Sequence, residues 1–250
     1  MSGETRSIAT DRVTLQSNIE NGLDIDAYLA QPSDAGTYPG IVVFQEVFGV
    51  NAHIRDVTER LAQQGYIAIA PAIYQRSQPG FEVGYTADDL ALGRKHKDAT
   101  KASELFGDTQ AAIAYLKNLD GCNGNIGAIG FCFGGHVAYL MATLSEVKAT
   151  ASFYGAGIPH FCPGENEPTI ARTPQISGQI YCFFGEADPL IPAEDNAAVE
   201  AALKEAQIDA RVFRYPETGH GFFCDRRDSY SAAAAADAWS HTLELFGGLR

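Results

Sequence analysis

From residue 38 onward, short apolar runs rich in β-branched and aromatic residues alternate with longer segments of helical spacing, and this alternation constrains the fold more than any other feature. Strands are predicted over 38–45, 66–70, 125–131, 149–154, 179–184 and 210–215, and helices over 52–64, 98–118, 133–144, 194–206 and 228–246. Several strands, such as YIAIA and NIGAIGF, are almost continuously apolar, which suits strands covered on both faces. The order implies an α/β fold with a mostly parallel, doubly wound sheet and helices on both faces. Two earlier runs, 11–16 and 24–30, read as an antiparallel entry hairpin over 11–31 that turns at Asn21-Gly22. No repeat or linker interrupts the core over 38–247, so residues 1–250 are expected to form one domain. The segments 75–97 and 155–177 lack periodicity, and long irregular segments of this kind commonly wall a pocket.

Charge narrows the partners. With 18 basic against 31 acidic residues the net charge is −13, which argues against nucleic acid and means that an anionic small molecule would need a local basic pocket. No stretch reaches the roughly 18 to 20 apolar residues that span a bilayer. The opening MSGETRSI lacks the apolar core of a secretory signal, so a cytoplasmic location without a membrane partner is expected. Cys122, Cys132, Cys162, Cys182 and Cys224 are odd in number and widely spaced, which points to reduced thiols.

The strongest local signal is Gly130-Phe131-Cys132-Phe133-Gly134-Gly135, between a predicted strand and a predicted helix. It has the form of a nucleophile elbow: a sharp turn with glycines where side chains would collide, holding Cys132 at a helix N-terminus whose dipole favours a thiolate. On the hexapeptide alone, a tight turn around an inert buried cysteine is an equally good reading. Asp188 follows the 179–184 strand and His220 follows the 210–215 strand, so both lie past the same sheet edge as Cys132. Nucleophile, acid, histidine is the chain order of an α/β-hydrolase triad. In it the sulfur attacks, His220 handles the proton and Asp188 fixes the imidazole. His136, one turn beyond Cys132, is expected to pack or cap, while His53 at a helix start and His96 among charges are expected to be solvated. The pairs His160/Cys162 and His220/Cys224 lack C-x-x-C or H-E-x-x-H spacing, so no metal is expected.

Gln45-Glu46-Val47-Phe48-Gly49-Val50-Asn51, the later Gly65-Tyr66 with its strand IAIAP, the Cys132 hexapeptide and Gly219-His220-Gly221-Phe222 together resemble the dienelactone hydrolase family. The likeness covers about residues 12–247. It implies hydrolysis of enol-lactones and related small esters by Cys132, Asp188 and His220, with no metal or organic cofactor. It further implies an oxyanion hole from the backbone N–H groups of Val47 and Phe133, and a Glu46 that takes the thiol proton when substrate binds. In the family a basic residue closely follows the catalytic histidine. The spacing differs here, which leaves Arg226 and Arg227, with Arg94, as candidates to bind a substrate carboxylate in the bidentate manner arginine favours. Tyr154 is a pocket candidate with an equally good packing role.

The expected chemistry is attack of the Cys132 thiolate on a small lactone or ester, with acyl transfer favouring a stabilised enolate as leaving group. Two other readings fit the same residues. One is a broad carboxylesterase or thioesterase without carboxylate recognition; the other is a non-catalytic protein of the same fold that senses oxidants or electrophiles through Cys132. A nucleotide-binding domain fits poorly, because no complete G-x-G-x-x-G or Walker pattern opens a βα unit.

Overall fold

The computed structural model describes residues 6–17 and 23–250. Among these, the strands are β1 (Ile8–Gln16), β2 (Asp24–Pro32), β3 (Tyr38–Phe44), β4 (Ile67–Pro71), β5 (Cys122–Phe131), β6 (Val147–Phe153), β7 (Gln179–Gly185) and β8 (Ala210–Tyr215). The helices are α1 (Ala52–Gln63), α2 (Ala87–Ala99), α3 (Ala102–Lys117), α4 (Phe133–Met141), α5 (Ala193–Glu205) and α6 (Ala232–Gly247). The strands form one sheet in the order β1-β2-β4-β3-β5-β6-β7-β8. β2 pairs antiparallel with both β1 and β4, and every pairing from β4 through β3 to β8 is parallel. This is the α/β-hydrolase fold.

The apolar strands sort their side chains by alternation. In β3, Ile41 and Val43 join the core on one face while Val42 and Phe44 join the core on the other. In β5, Ile129 and Phe131 join the first core and Ile126 and Ala128 the second. All eight are completely buried, and each large side chain so placed stabilises the fold by about 1.5–3 kcal/mol over exposure. The chain leaves β3 through α1 to reach β4 on one side, and β5 enters on the other side of β3. The connections therefore diverge at the carboxyl ends of β3 and β5, the place where such sheets open a crevice.

The entry hairpin has the expected pairing, with Val13 opposite Ala27; its Asn21-Gly22 turn lies outside the described residues. The segment 75–97 is not irregular throughout, because its second half enters α2. Thr86 caps this helix reciprocally with Asp89. The helix expected over 98–118 is α3, which starts at Ala102, while 98–99 are the end of α2. Thr100 and Lys101 are extended, with ψ of 153° and 145°, and the Ala102 N–H donates to the Pro163 carbonyl at 2.7 Å. α6 starts four residues later than expected, after Ser231, whose hydroxyl accepts from Ala234 N. The segment 155–177 contains a short 3-10 turn, Thr169–Gln175. His53 and His96 are buried rather than solvated. His53 packs edge-on to Phe131, and His96 lies against Phe81 and hydrogen-bonds Ser77.

Candidate active site

Cys132 sits between β5 and α4 with φ 57° and ψ −117°, a backbone few L-residues adopt. The turn is possible because of its glycines: a Cβ on Gly130 would overlap the Gly134 carbonyl. Cys132 caps α4, so the sulfur stands where the helix dipole favours negative charge. Beyond β6 in the sheet, the Asp188 loop follows β7 and the His220 loop follows β8.

His220 Nδ1 and Asp188 Oδ2 are 2.7 Å apart, both side chains buried. The other Asp188 oxygen accepts from Leu190 N at 2.8 Å, so the carboxylate is held from two sides. His220 Nε2 is buried without a hydrogen-bond partner. Burial alone would lower this imidazole; the attraction an ionised Cys132 exerts on it and the hydrogen bond with Asp188 outweigh that and push His220 up to about 10. The ring therefore favours imidazolium once Cys132 is ionised, the form that pairs with a negative sulfur.

Glu46, two residues past β3, is completely buried. Its Oε1 accepts from Arg227 Nη1 at 3.0 Å, while Oε2 has no partner among the described residues. Arg227 lies about 5.7–5.8 Å from the ring centres of Phe48 and Tyr85. A pocket of about 270 Å³ opens above these groups. Cys132, His220, Val47, Phe133, Arg94 and Arg227 all line it. Phe133 is the first residue of α4, where a backbone N–H has no partner within the helix.

Two candidates lie elsewhere. Arg226 lines a separate surface depression with Asn51, His53 and Tyr85. Tyr154 is fully buried beneath the site, its ring 5.1 Å from that of His220. Burial, then the charge of Glu46, holds its hydroxyl far above the ordinary tyrosine range.

Arg94 was an expected pocket residue; its neighbours Leu90 and Lys97 escaped the sequence reading. Leu90, Arg94 and Lys97 line one wall, and their i, i+4, i+7 spacing places them on one face of α2. α2 lies so close to the Val47 loop that a Cβ on Gly93 would strike the Val47 carbonyl. Thr86 with Asp89 three residues on was the signal that could have placed this helix.

Sequence and structure comparisons converge on one family. The sequence model of the dienelactone hydrolase family matches residues 25–249. The chain belongs to the dienelactone hydrolase family. The family places it among carboxylic ester hydrolases. A Synechocystis sp. protein named "Putative carboxymethylenebutenolidase" is 53% identical over 243 residues, covering 97% of this chain and 98% of the relative. A Pseudomonas putida protein named carboxymethylenebutenolidase is 30% identical over 247 residues, covering 96% and 98%. Among solved family structures, a "Putative Dienelactone Hydrolase" from Klebsiella pneumoniae superposes with a TM-score of 0.87 at 28% identity, covering 96% of this chain and 99% of that one.

Proposed function

We propose that this chain hydrolyses small, carboxylate-bearing enol-lactones through a thioester on Cys132. The observation that carries the reading is the convergence of an elbow cysteine, an Asp188–His220 pair and a buried Glu46–Arg227 pair on one pocket that also holds Arg94. Both the family and the name of the Pseudomonas putida relative support a lactone substrate.

The bound carboxylate engages Arg227 and Arg94, the two arginines of the pocket, in a chain whose net charge of −13 would otherwise repel it. Drawing Arg227 toward substrate frees Glu46 to take the Cys132 proton, which leaves a thiolate facing the lactone carbonyl. The sulfur bonds to the carbonyl carbon. The oxygen gains the electron pair and is held by the N–H groups of Val47 and Phe133. The ring C–O bond then breaks and the departing oxygen leaves as an enolate. The enolate takes the proton of the His220 imidazolium. The neutral ring, oriented by Asp188, then removes a proton from water, the hydroxide adds to the thioester, and sulfur departs as a thiolate that recovers its proton from Glu46. The product is a ring-opened dicarboxylate. Tyr154 stiffens the floor beneath His220 without touching substrate.

Rapid-quench mass spectrometry with an activated aryl ester tests the intermediate. An acyl adduct on the Cys132 peptide that forms and decays at the rate of turnover is expected. Turnover with no adduct, or an adduct on another residue, overturns the reading.

A further inference from the structure

Behind the nucleophile lies a second cluster that the mechanism uses only in part. A carboxylate oxygen of Glu46, a ring nitrogen of His53 and the sulfur of Cys224 all lie within 4.8 Å of one another, and all three residues are buried. They come from the loop after β3, the first turn of α1 and the turn after His220. Arg227 occupies only Oε1 of Glu46; Oε2 is buried without a partner, and so is Nε2 of His53. Unpartnered buried polar atoms are costly unless something binds them. Burial pushes His53 down, against the pull of Glu46, Asp56 and Asp225, so its ring is neutral and keeps a lone pair. The Cys224 thiol donates to the Tyr85 hydroxyl at 3.3 Å, and burial followed by Glu46 pushes it up to about 11.

We propose that Glu46, His53 and Cys224 form a site for a borderline-soft divalent cation of the Zn²⁺ kind, and that its occupation holds Glu46 away from Cys132. One sulfur, one imidazole nitrogen and one carboxylate oxygen are the ligand types Zn²⁺ takes in tetrahedral sites, with a fourth position left for water. On binding, the Cys224 S–H bond breaks, a sulfur–metal bond forms and the proton passes to the buffer. Glu46 and the Cys224 thiolate supply two negative charges, which offset the dication beside Arg227. His53 also lines two surface depressions, one carrying Glu82 and the other Asp56 and Asp225, acidic groups that would draw a cation toward it. The ion site stands on geometry alone; its effect on turnover rests on the role proposed above for Glu46.

The test uses Cys132→Ser, which removes the competing reactive sulfur. Titration with Cd²⁺, followed by the ultraviolet thiolate-to-metal band, and with Zn²⁺ against a chromophoric chelator is expected to show one equivalent bound per chain. Adding Cys224→Ser should abolish the band, and adding His53→Gln should weaken binding by at least the roughly 10- to 100-fold that loss of an outer-shell partner costs, with circular dichroism confirming that each variant is folded. The His53→Gln arm decides the matter if the cysteine variant does not fold. Absence of a stoichiometric band, or a band unchanged in both variants, overturns the site. In the wild type, turnover should fall over the same Zn²⁺ range. One equivalent bound in the expected way with turnover unaffected upholds the site and removes Glu46 from the activation of Cys132.

Discussion

At the scale of single residues, the site depends on groups whose proton state is fixed by what surrounds them. His136 shows the principle most cleanly because it sits outside the reacting groups. Its Nδ1 is 2.8 Å from the Ala156 carbonyl and its Nε2 is 2.7 Å from the Thr169 hydroxyl. The carbonyl can only accept, so Nδ1 carries the hydrogen and Nε2 accepts from Thr169. Burial pushes this histidine down to about 4 from an ordinary 6.5. The folded state therefore binds the proton less readily than the unfolded chain. The His136 contribution to stability is complete above the unfolded value, falls as pH drops from about 6.5 toward 4 and levels off below, a swing of about 3 kcal/mol. Denaturant unfolding of wild type and His136→Gln should show the stability gap between them narrowing over that window. A gap independent of pH contradicts the assignment. Burial also explains why His53 and His96 were misread: their surroundings come from segments far along the chain, such as the Phe131 ring against His53, and helix-start or charge context says nothing about them.

At the scale of elements, strands were legible and α2 was not. The apolar runs of β4 to β7 located those strands to within three residues at either end, because strands covered on both faces have few polar positions to blur the pattern. α2 reads ADDLALGRKHKDA, and its buried residues are only Gly93 and His96. It has no apolar stripe to detect, since one of its faces borders the pocket rather than the core. That same face carries the basic groups, and Arg94→Ala measures what they do. KM for an anionic ester should rise about 10- to 100-fold, the loss expected for a charge-assisted contact, while a neutral ester of similar size is little affected. Equal losses on both substrates would assign Arg94 to the architecture of α2. Gly93→Ala should harm both substrates alike, because its Cβ would press α2 away from the Val47 loop.

At the scale of the whole molecule, the fold brings loops far apart in sequence to one crevice. The loops after β3, β5, β7 and β8 carry Glu46, Cys132, Asp188 and His220, and all emerge at the same edge of a mostly parallel sheet. This convergence was legible early: Cys132, Asp188 and His220 each follow a readable strand, and parallel strands send their loops to one edge. The choice among arginines was not, because Arg226 and Arg227 are neighbours in sequence and only packing decides which enters the pocket. Packing puts Arg227 there, against Glu46 and the rings of Phe48 and Tyr85. The most direct test of the account is ultraviolet-monitored turnover of a carboxylate-bearing dienelactone beside a neutral activated aryl ester, with wild type and Cys132→Ala. The expected result is far faster turnover of the lactone by the wild type and no activity of the variant on either substrate. Activity retained by Cys132→Ala, or a wild type that cleaves neither substrate, contradicts it.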